Sequence, residues 1–429
     1  MSISVSKRDT VSELAAVLSS ALVPHPVFWT ELMYFNYMDG RNCNWNGGHD
    51  VVGTNTPDTV FGFAEGTCRP GFDTYFCVQN PGDAQADVDL NYMRGGGAGL
   101  VKQSIVVAAH SRSTIRANDA LGIGNDASHD FSTLVSCTNN LKIIAERSIY
   151  FNYMGGYDYC WTGGSDVIGD DYAPKNFYFA EGTCRPGFDT YFCIMNDSHT
   201  AAANVTLTYM KGDGMTASDH VVVPPYSRST VVPSDTLGTG NDVAHDFSTA
   251  ISSDQCIIAE RPMYFNYVGD QNCNWNGGHD VVGSEIKAQA FAFAEGTCRP
   301  GFETYFCIQN PNDTVATVAL LYQEGTGHQV NQNITVPANS RYTVRASSIL
   351  GVGNDTAHDF STLVYCTNGQ KIIAERPMYF NYSGGHNYNW TGGSDVVGAP
   401  GTVTVQNGQG LRGALFQVGP LAGTYRLQR

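Results

Sequence analysis

Polar and apolar residues alternate along several short stretches of the chain. In the clearest of them, single polar residues separate four apolar ones, Ala86, Val88, Leu90 and Tyr92. A period of two places every second side chain on the same face of a strand, so this stretch predicts a strand with one buried face. Further strands are predicted over residues 103–109, 111–117, 131–137 and 142–153. Roughly seven or eight short strands with regular turn residues and no helical pattern predict a β-sandwich.

Three sequence phrases recur with a spacing of about 115 residues, which indicates tandem domains of one fold. FAEGTCRPGF begins at Phe63, Phe179 and Phe293. GNDxxHDFST begins at Gly124, Gly240 and Gly353. A third phrase runs from YFNY through a tryptophan to GG(H/S)DV and occurs four times, around Trp45, Trp161, Trp275 and Trp390. Its extra copy near the N-terminus is a piece of a domain without the remainder.

The phrases divide the chain into an N-terminal arm, a partial repeat, three full repeats and a tail: residues 1–30, 31–53, 54–169, 170–283, 284–398 and 399–429. In the arm, Asp9 or Thr10 as N-cap and Glu13 in the first turn favour an amphipathic helix over a signal peptide. In the tail, alternating residues at 403–405 and 411–418 predict strands that can pair with an exposed sheet edge.

The phrase DTYFCVQNPGDAQADVDLNYM, with counterparts from Asp189 and Glu303, resembles immunoglobulin-like repeats of large bacterial secreted and cell-surface proteins. The later strands AAHSRSTI (108–115), PPYSRSTV (224–231) and PANSRYTV (337–344) add to this resemblance. It covers residues 54–398 and implies immunoglobulin-like β-sandwiches in an extracellular or cell-surface setting. It implies no defined activity.

The net charge and the cysteine content limit the possible partners and the cellular compartment. The formal net charge of −16 disfavours nucleic acid or an anionic membrane as partner, and no apolar run is long enough for a membrane span. The cysteines form no CxxC motif, so disulfides in an oxidising compartment are the preferred interpretation. The predicted pairs within repeats are Cys68/Cys77, Cys184/Cys193, Cys298/Cys307, Cys137/Cys160 and Cys256/Cys273. The remaining Cys43 and Cys366 are predicted to bond or abut between subunits, with an intrachain bond in a closed chain as the alternative.

Secreted proteins carry glycans at Asn-x-Ser/Thr sites. Seven such sequons begin at Asn196, Asn204, Asn312, Asn333, Asn354, Asn381 and Asn389.

The GNDxxHDFST loops cluster acidic residues that suggest two alternatives. Calcium prefers carboxylate and carbonyl oxygens, so a structural ion is one interpretation. The other is a turn in which Asn and Asp cap the entry to the next strand. The acids concerned are Asp126, Asp130, Asp242, Asp246, Asp355 and Asp359.

The AEG and AER phrases place glutamates beside apolar strand residues, at Glu65, Glu146, Glu181, Glu260, Glu295 and Glu375. With Arg69 and Arg147 and their repeats nearby, we expect partly buried Glu–Arg pairs that fix strand register. A glycosidase needs two carboxylates on one cleft. Three near-identical active sites in one chain would be unusual, so no enzymatic activity is predicted.

Aromatic residues are dense in the YFNY phrase, with Tyr34, Phe35, Tyr37 and Trp45 in its first copy. One face of this strand is predicted to be core or interdomain packing. The other face has an alternative role as a platform that stacks against sugar rings.

The sequence therefore predicts a rod of three sandwiches outside the cell. The first interpretation is a structural protein, a subunit of a surface filament or coat whose copies bind head to tail. The alternative is an adhesin or an array of carbohydrate-binding modules that binds surface glycans. The partial repeat favours the first, because a polymer can use it to dock onto the next subunit. No cofactor is expected, and a structural calcium ion is the alternative.

Overall fold

The computed structural model describes residues 30–38, 44–54, 56–154, 160–171, 173–269, 273–383, 389–405 and 414–418. The predicted N-terminal helix and Cys43 lie outside these residues. Within the described part of the chain, no helix is long and apolar enough to cross a membrane.

The N-terminal segment and the first repeat form β1 (Thr30–Met38), β2 (Asn44–Val52), β3 (Val60–Phe63), β4 (Phe72–Asn80), β5 (Ala86–Arg94), β6 (Gly99–Val107), β7 (Ser111–Arg116), β8 (Phe131–Cys137), β9 (Ile144–Met154) and β10 (Cys160–Ile168). The second repeat forms β11 (Asn176–Phe179), β12 (Phe188–Thr190), β13 (Phe192–Asn196), β14 (Ala203–Lys211), β15 (Thr216–Val223), β16 (Ser227–Val231), β17 (Phe247–Ser253), β18 (Ile258–Glu260), β19 (Met263–Val268) and β20 (Asn274–His279).

The third repeat and the tail form β21 (Ala290–Phe293), β22 (Phe302–Asn310), β23 (Ala316–Glu324), β24 (Gln329–Val336), β25 (Ser340–Arg345), β26 (Phe360–Cys366), β27 (Ile373–Glu375), β28 (Met378–Ser383), β29 (Asn389–Ser394), β30 (Ala399–Val405) and β31 (Ala414–Val418). Short helices are α1 (Ala117–Leu121), α2 (Pro233–Leu237) and α3 (Ser347–Leu350). Single 3-10 turns lie at Ala127–His129, Val243–His245 and Thr356–His358.

The first repeat is a sandwich of two antiparallel sheets, with strand orders β3-β8-β5-β6 and β10-β9-β4-β7. The alternation in β5 sends Val88, Leu90 and Tyr92 inward, where each is at most 1% exposed. They pack with Phe76 of β4 and Phe131 of β8 in one apolar cluster. Removing this apolar area from water contributes roughly 25 cal/mol per Å² and holds the two sheets together. The all-β sandwich predicted from the sequence is confirmed.

The second and third repeats reproduce this architecture. One sheet of each has the order β11-β17-β14-β15 or β24-β23-β26-β21, and the facing strands are β16-β13-β18 or β25-β22-β28. The alternation predicted the strands well: β8 occupies residues 131–137 as predicted, and β5, β6, β7 and β9 begin and end within a few residues of their predicted bounds.

Four hairpins pack side by side in a closed circle. They are the N-terminal hairpin (β1–β2) and the first, second and third repeat hairpins (β9–β10, β19–β20 and β28–β29). Their second strands approach so closely that only glycine fits. A Cβ added to Gly47 would lie 3.1 Å from the Cα of Gly163, and one on Gly277 would lie 2.9 Å from the Cα of Gly392.

The circle changes the predicted shape of the molecule. The N-terminal hairpin packs between the third and the first repeat hairpins, through β2·β29 and β2·β10. The repeats therefore do not form the extended rod expected from the sequence. The chain is closed instead, because the partial repeat supplies the fourth hairpin that three repeats lack.

The tail extends the third repeat. β30 pairs with β21 through Ala290–Ala292, and β31 pairs with β30, so one sheet becomes β24-β23-β26-β21-β30-β31. This confirms the prediction that the tail forms strands on an open sheet edge. Val403 packs against a buried apolar cluster on that sheet, which includes Leu321 and Tyr365.

Candidate functional site

The tryptophan of each hairpin stacks on a tyrosine of the next hairpin around the circle. Trp161 lies against Tyr264 with ring centroids 5.0 Å apart and an angle of 19° between the planes. The other stacked pairs are Trp45–Tyr150 at 5.1 Å, Trp275–Tyr379 at 4.7 Å and Trp390–Tyr34 at 5.3 Å. Such pairs contribute about 0.5–1.5 kcal/mol beyond the area they bury. The YFNY aromatics thus pack between repeats, which is the first of the two roles predicted for them.

A buried arginine joins each repeat to the hairpin that follows. Arg147 Nη1 donates to the backbone oxygen of Glu65 in its own repeat at 2.7 Å and to the carboxylate of Glu260 in the second repeat. Its Nη2 donates to Asp280 of the second hairpin. Arg147 is fully buried, and the two carboxylates offset the cost of removing its guanidinium charge from water. Equivalent contacts join Arg261 to Glu181, Glu375 and Asp395, and Arg376 to Glu295 and Asp50.

A second ionic contact joins successive repeats in the opposite direction. Between the first and second repeats (the first junction), Glu65 Oε2 accepts hydrogen bonds from Cys193 Sγ at 2.7 Å and from Arg228 Nη2 at 3.1 Å. The Glu260 carboxylate in turn accepts from the backbone N–H groups of Ala64 and Glu65, at 2.8 and 3.2 Å. The predicted Glu–Arg pairs therefore exist, but they join neighbouring repeats and do not set strand register within one.

Burial fixes the protonation of this contact. Loss of hydration raises the pKa of the Cys193 thiol well above its usual value, and the Glu65 carboxylate raises it further. Cys193 consequently remains a protonated thiol, and it donates a hydrogen bond to Glu65. Burial also raises the pKa of Glu65, while the positive charge of Arg228 lowers it. The second junction, between the second and third repeats, repeats the arrangement with Cys307 and Arg341 on Glu181.

A cleft of about 410 Å³ opens at the second junction. Tyr267, Trp275 and Tyr305 contribute aromatic surface to its lining, and Arg185, Asp246 and Arg341 contribute charge. Arg185 donates to both oxygens of Asp246 at 2.8 and 2.7 Å and keeps 24% of its side chain exposed. The cleft therefore offers an aromatic wall beside an oriented pair of opposite charges.

The first junction brings together the same residue types. Arg69 donates to both oxygens of Asp130 at 2.9 and 2.6 Å, as Arg185 does with Asp246. The aromatic residues at the equivalent positions are Tyr153, Trp161 and Tyr191. Two complete junctions thus carry the same constellation, each built from two successive repeats.

Comparison with protein-family models gave no match, and comparison with curated proteins gave none either. Among solved structures, the chain is similar to Thermotoga maritima 1070, with 15% identity and a TM-score of 0.22 over 27% of this chain and 96% of that one. It is similar to the Anabaena sensory rhodopsin transducer, with 21% identity and a TM-score of 0.19 over 22% and 99%. A tetra-tandem repeat from the extending region of a large adhesion protein matches with 10% identity and a TM-score of 0.11 over 86% and 82%. At these scores the likenesses carry no functional conclusion.

The acids of the GNDxxHDFST loops are held by protein donors. Asp126 caps a 3-10 turn and accepts from the Ser128 N–H at 2.8 Å and from the His129 ring at 3.1 Å. Hydrogen bonds from Ser128 lower the pKa of Asp126 to about 2. Asp242 and Asp355 cap their turns in the same way, and Asp130, Asp246 and Asp359 pair with Arg69, Arg185 and Arg299. These contacts match the capping alternative, and no group of three or more His, Cys, Asp or Glu in the described residues is placed to hold a metal ion.

No disulfide joins any of the cysteines that the structure describes, so the predicted pairs among them are not bonded. Cys68 lies in the core of the first repeat. Cys77 lies on the other face of β4, since its neighbours Phe76 and Val78 are the residues that point into that core. Cys184 and Cys298 are likewise core residues, whereas Cys193 and Cys307 face the junctions. The predicted partners therefore stand on opposite sides of one strand.

The second predicted type of disulfide fails for a similar reason. Cys137 is buried and donates to Asn139, whereas Cys160 is exposed at the start of β10. Cys256 and Cys273 pack against different apolar clusters. Cys366 is buried and donates to Asn368 at 2.9 Å, while its predicted partner Cys43 lies outside the described residues.

The sequons differ in accessibility. Asn196 is fully buried, and its amide donates to the carbonyls of Ala201, Val223 and Pro224, so a glycan there is incompatible with the fold. Asn204, Asn333, Asn354 and Asn389 are exposed, and Asn312 and Asn381 are half-buried. Glycosylation at these six positions stays a prediction.

The contact between the N-terminal hairpin and the first repeat departs from the pattern of the others. At the position of Arg147, Arg261 and Arg376, the N-terminal hairpin carries Glu31. Among the described residues, the N-terminal hairpin therefore offers Asp166 of the first repeat hairpin a glutamate where the other hairpins receive an arginine. Burial, followed by the charge of Glu146, raises the pKa of Asp166 to about 7, and Glu31 adds to the increase. This is the junction at which acidic groups oppose one another.

Sequence reasoning missed the buried arginines as connectors between repeats. The sequence did carry a signal, because two repeated charged residues occur in different numbers. The aspartate of the GG(H/S)DV phrase occurs four times, at Asp50, Asp166, Asp280 and Asp395, while the arginine of AER occurs three times. Asp50 is the surplus aspartate, and it indicates that the N-terminal hairpin is the partner of the third repeat.

Proposed function

We propose that this protein is a non-catalytic binding protein, whose closed circle of hairpins holds clefts at the repeat junctions for a small polar ligand of the carbohydrate class. The observation that carries the proposal is the cleft at the second junction, where aromatic surface and the Arg185–Asp246 pair line one space of about 410 Å³.

The chemistry of the cleft suits a sugar. Tyrosine and tryptophan present apolar surface to the C–H face of a sugar ring, together with polar edges. A guanidinium beside a carboxylate can donate to one hydroxyl and accept from its neighbour. Ligand sites of this kind combine mostly apolar walls with a few oriented polar groups. Tyr267, Tyr305 and Arg185 supply both classes of group here.

The charges of the cleft support binding over catalysis. Burial acts to raise the pKa of Asp246, but the hydrogen bonds from Arg185 and the charge of Arg341 prevail and lower it. Asp246 therefore remains an ionised acceptor, whereas a general acid of a glycosidase needs a raised pKa. Its Oδ1 also accepts from Thr183 at 3.0 Å, which further fixes it as a positioning group.

Calorimetric titration of the full chain with a panel of mono- and oligosaccharides tests the proposal. One sugar should bind at two sites, one for each complete junction. Arg185→Ala should remove one site, and the double variant Arg69→Ala/Arg185→Ala should remove both. Arg299→Ala is the matched control, because Arg299 makes the same contacts with Asp359 and Asn354 but lies in the third repeat, which packs against the N-terminal hairpin. Absence of sugar binding, or equal effects of Arg185→Ala and Arg299→Ala, would refute the proposal.

A second candidate is the structural role expected from the sequence, a surface subunit that assembles with copies of itself. What favours it is the edge of the third repeat's extended sheet. There β31 is the last strand of the order β24-β23-β26-β21-β30-β31, and an edge strand can pair with a strand of another copy. Sedimentation velocity of the purified chain over a range of concentrations tests it: growth of large species supports assembly, and a constant monomer contradicts it.

A further inference from the structure

The two complete junctions share a reciprocal exchange of carboxylates. At the second junction, Glu181 Oε2 accepts from Cys307 Sγ at 2.5 Å and from Arg341 Nη2 at 3.2 Å. In return, the backbone N–H groups of Ala180 and Glu181 donate to Glu375, both at 2.9 Å. The first junction makes the same exchange with Glu65 and Glu260. An Ala-Glu dipeptide of one repeat is thus recognised twice, by Cys and Arg on its side chain and by Glu on its backbone.

The first repeat presents the same thiol, guanidinium and hydroxyl, but no described residue places a carboxylate within hydrogen-bond distance of Arg112 or Cys77. Arg112 Nη2 lies 3.1 Å from Cys77 Sγ and 2.9 Å from Thr114 Oγ1. In the second repeat the corresponding distances are 3.0 and 3.0 Å, from Arg228 to Cys193 and Thr230. The third repeat gives 3.0 and 2.6 Å. The geometry that receives a glutamate elsewhere is therefore already assembled.

Exposure separates this face from its counterparts. Arg228 and Arg341 are 9% and 5% exposed, whereas Arg112 is exposed. Glu146 occupies the position of Glu260 and Glu375, which are fully buried, and is itself only half-buried. The group formed by Cys77, Arg112, Thr114 and Glu146 is called the acceptor face below.

We propose that the acceptor face binds a partner protein through an extended Ala-Glu segment of the kind found in the FAEG phrase. The glutamate side chain would accept from Arg112 and Cys77, and the two backbone N–H groups of the segment would donate to Glu146. Charge complementarity and two copies of the same contact within this chain define that chemistry.

The partner is a protein other than a second copy of this chain. In each complete junction, the donor repeat also stacks its hairpin tryptophan on the tyrosine of the next hairpin. On the first repeat that tyrosine is Tyr150, and Trp45 of the N-terminal hairpin already stacks on it at 5.1 Å. The third repeat of a second copy would bring Trp390 to the same place. The acceptor face therefore fits a donor segment that arrives without a hairpin.

Fluorescence polarisation with a labelled peptide tests the proposal on the full chain. The probe carries the sequence of residues 60–68 with serine in place of the cysteine. Binding should saturate, and it should weaken about ten-fold or more in Arg112→Ala or when glutamine replaces the peptide's glutamate, because a charge-assisted hydrogen bond is lost. Lys102→Ala, another exposed cation of the first repeat, should bind as the wild type does. No saturable binding, or equal binding of the glutamine peptide, would overturn the proposal.

Alkylation of individual cysteines, followed by mass spectrometry, shows whether the face is open. Without peptide, Cys77 should react with N-ethylmaleimide at least about ten-fold faster than the buried Cys193, and the peptide should slow Cys77 alone. A Cys77 already protected without peptide would mean that the chain covers its own acceptor face, and the partner proposal would then be wrong.

Discussion

Tyr34 and Trp390, from opposite ends of the described chain, stack with ring centroids 5.3 Å apart. Elsewhere in the circle, the equivalent tryptophan and tyrosine come from hairpins that follow one another along the chain, as in Trp161 on Tyr264. The N-terminal hairpin therefore substitutes for the hairpin of a fourth repeat. Ring closure follows from this one contact together with the pairing of Arg376 and Asp50.

Loss of Asp50 should open the circle at this point. Arg376 is 1% exposed, and Asp50 accepts a hydrogen bond from its Nη2 at 2.6 Å. Asp50→Ala would leave a buried guanidinium without that charge partner, which costs about 3–5 kcal/mol in comparable cases. Chemical denaturation measures the loss. Asp83→Ala is the control, since the Asp83 side chain is 99% exposed and should change stability by less than about 0.5 kcal/mol. Equal stabilities of the two variants would contradict the role of the N-terminal hairpin.

Arg228 and Arg112 form a matched pair for testing the junction. Arg228→Ala should destabilise the protein by about 3–5 kcal/mol, because Glu65 would remain buried without its charge partner. Arg112→Ala removes the equivalent residue from an exposed position and should cost about 0.5 kcal/mol or less. The unfolding midpoints in denaturant provide the comparison. Similar midpoints would show that the junction contact does not hold the repeats together.

Asp166 should make stability depend on pH. Its pKa is raised from 3.8 to about 7, mainly by burial. Between these values the folded state binds a proton that the unfolded state has lost, so this contribution to stability declines as the pH rises from about 4 and is gone above about 7. Asp166→Asn should therefore melt at a higher temperature than the wild type at pH 8, and the difference should shrink towards pH 5. Parallel melting curves across this range would contradict the assignment.

His49 contributes the opposite slope in the same pH window. Burial lowers its pKa from 6.5 to about 4, so the unfolded state gains a proton first as the pH falls from about 6.5. Stability is lost over that interval. The effect is common to the wild type and Asp166→Asn, so their difference isolates Asp166.

Glu31→Arg should supply the arginine that the other hairpins carry at this position. The new guanidinium would stand where Arg147 stands in the next repeat and could pair with Asp166 and Glu146. We expect a gain of about 1 kcal/mol or more at pH 8 and a lower pKa for Asp166, since a nearby positive charge favours its ionised form. Glu31→Gln is the control for simple removal of repulsion and should gain less. A stability curve with the wild-type pH dependence would count against this pairing.

The cysteines should be found as thiols of very different reactivity. Burial raises the pKa of Cys68, Cys184 and Cys298 to about 12, so these core thiols should react with a thiol reagent only on unfolding. The exposed Cys160 should react in the native state. Peptide mapping without reductant should find Cys68 and Cys77 unlinked. A Cys68–Cys77 disulfide would require β4 to turn a different face to the core.

Much of the fold could be read from local patterns. The alternation over residues 86–92 predicted β5, and the repeated phrases predicted the domain organisation, because strand periodicity and repetition are properties of neighbouring residues. The aromatic density of YFNY predicted packing between domains. Alternation also allows the correction of the disulfides, since Cys77 lies one residue from Phe76 and must face the other way.

The sequence by itself determined the sandwich, its threefold repetition and the presence of one surplus hairpin. Only the tertiary structure decided where that hairpin goes. Glu65 is separated from both Cys193 and Arg228 by more than a hundred residues, and no local pattern links a thiol in one repeat to a carboxylate in the one before. Their contact depends on the angle between successive repeats, which the packing of glycines such as Gly277 against Gly392 sets. That angle turns a predicted rod into a circle, because four stacked tryptophan–tyrosine pairs return the chain to its start.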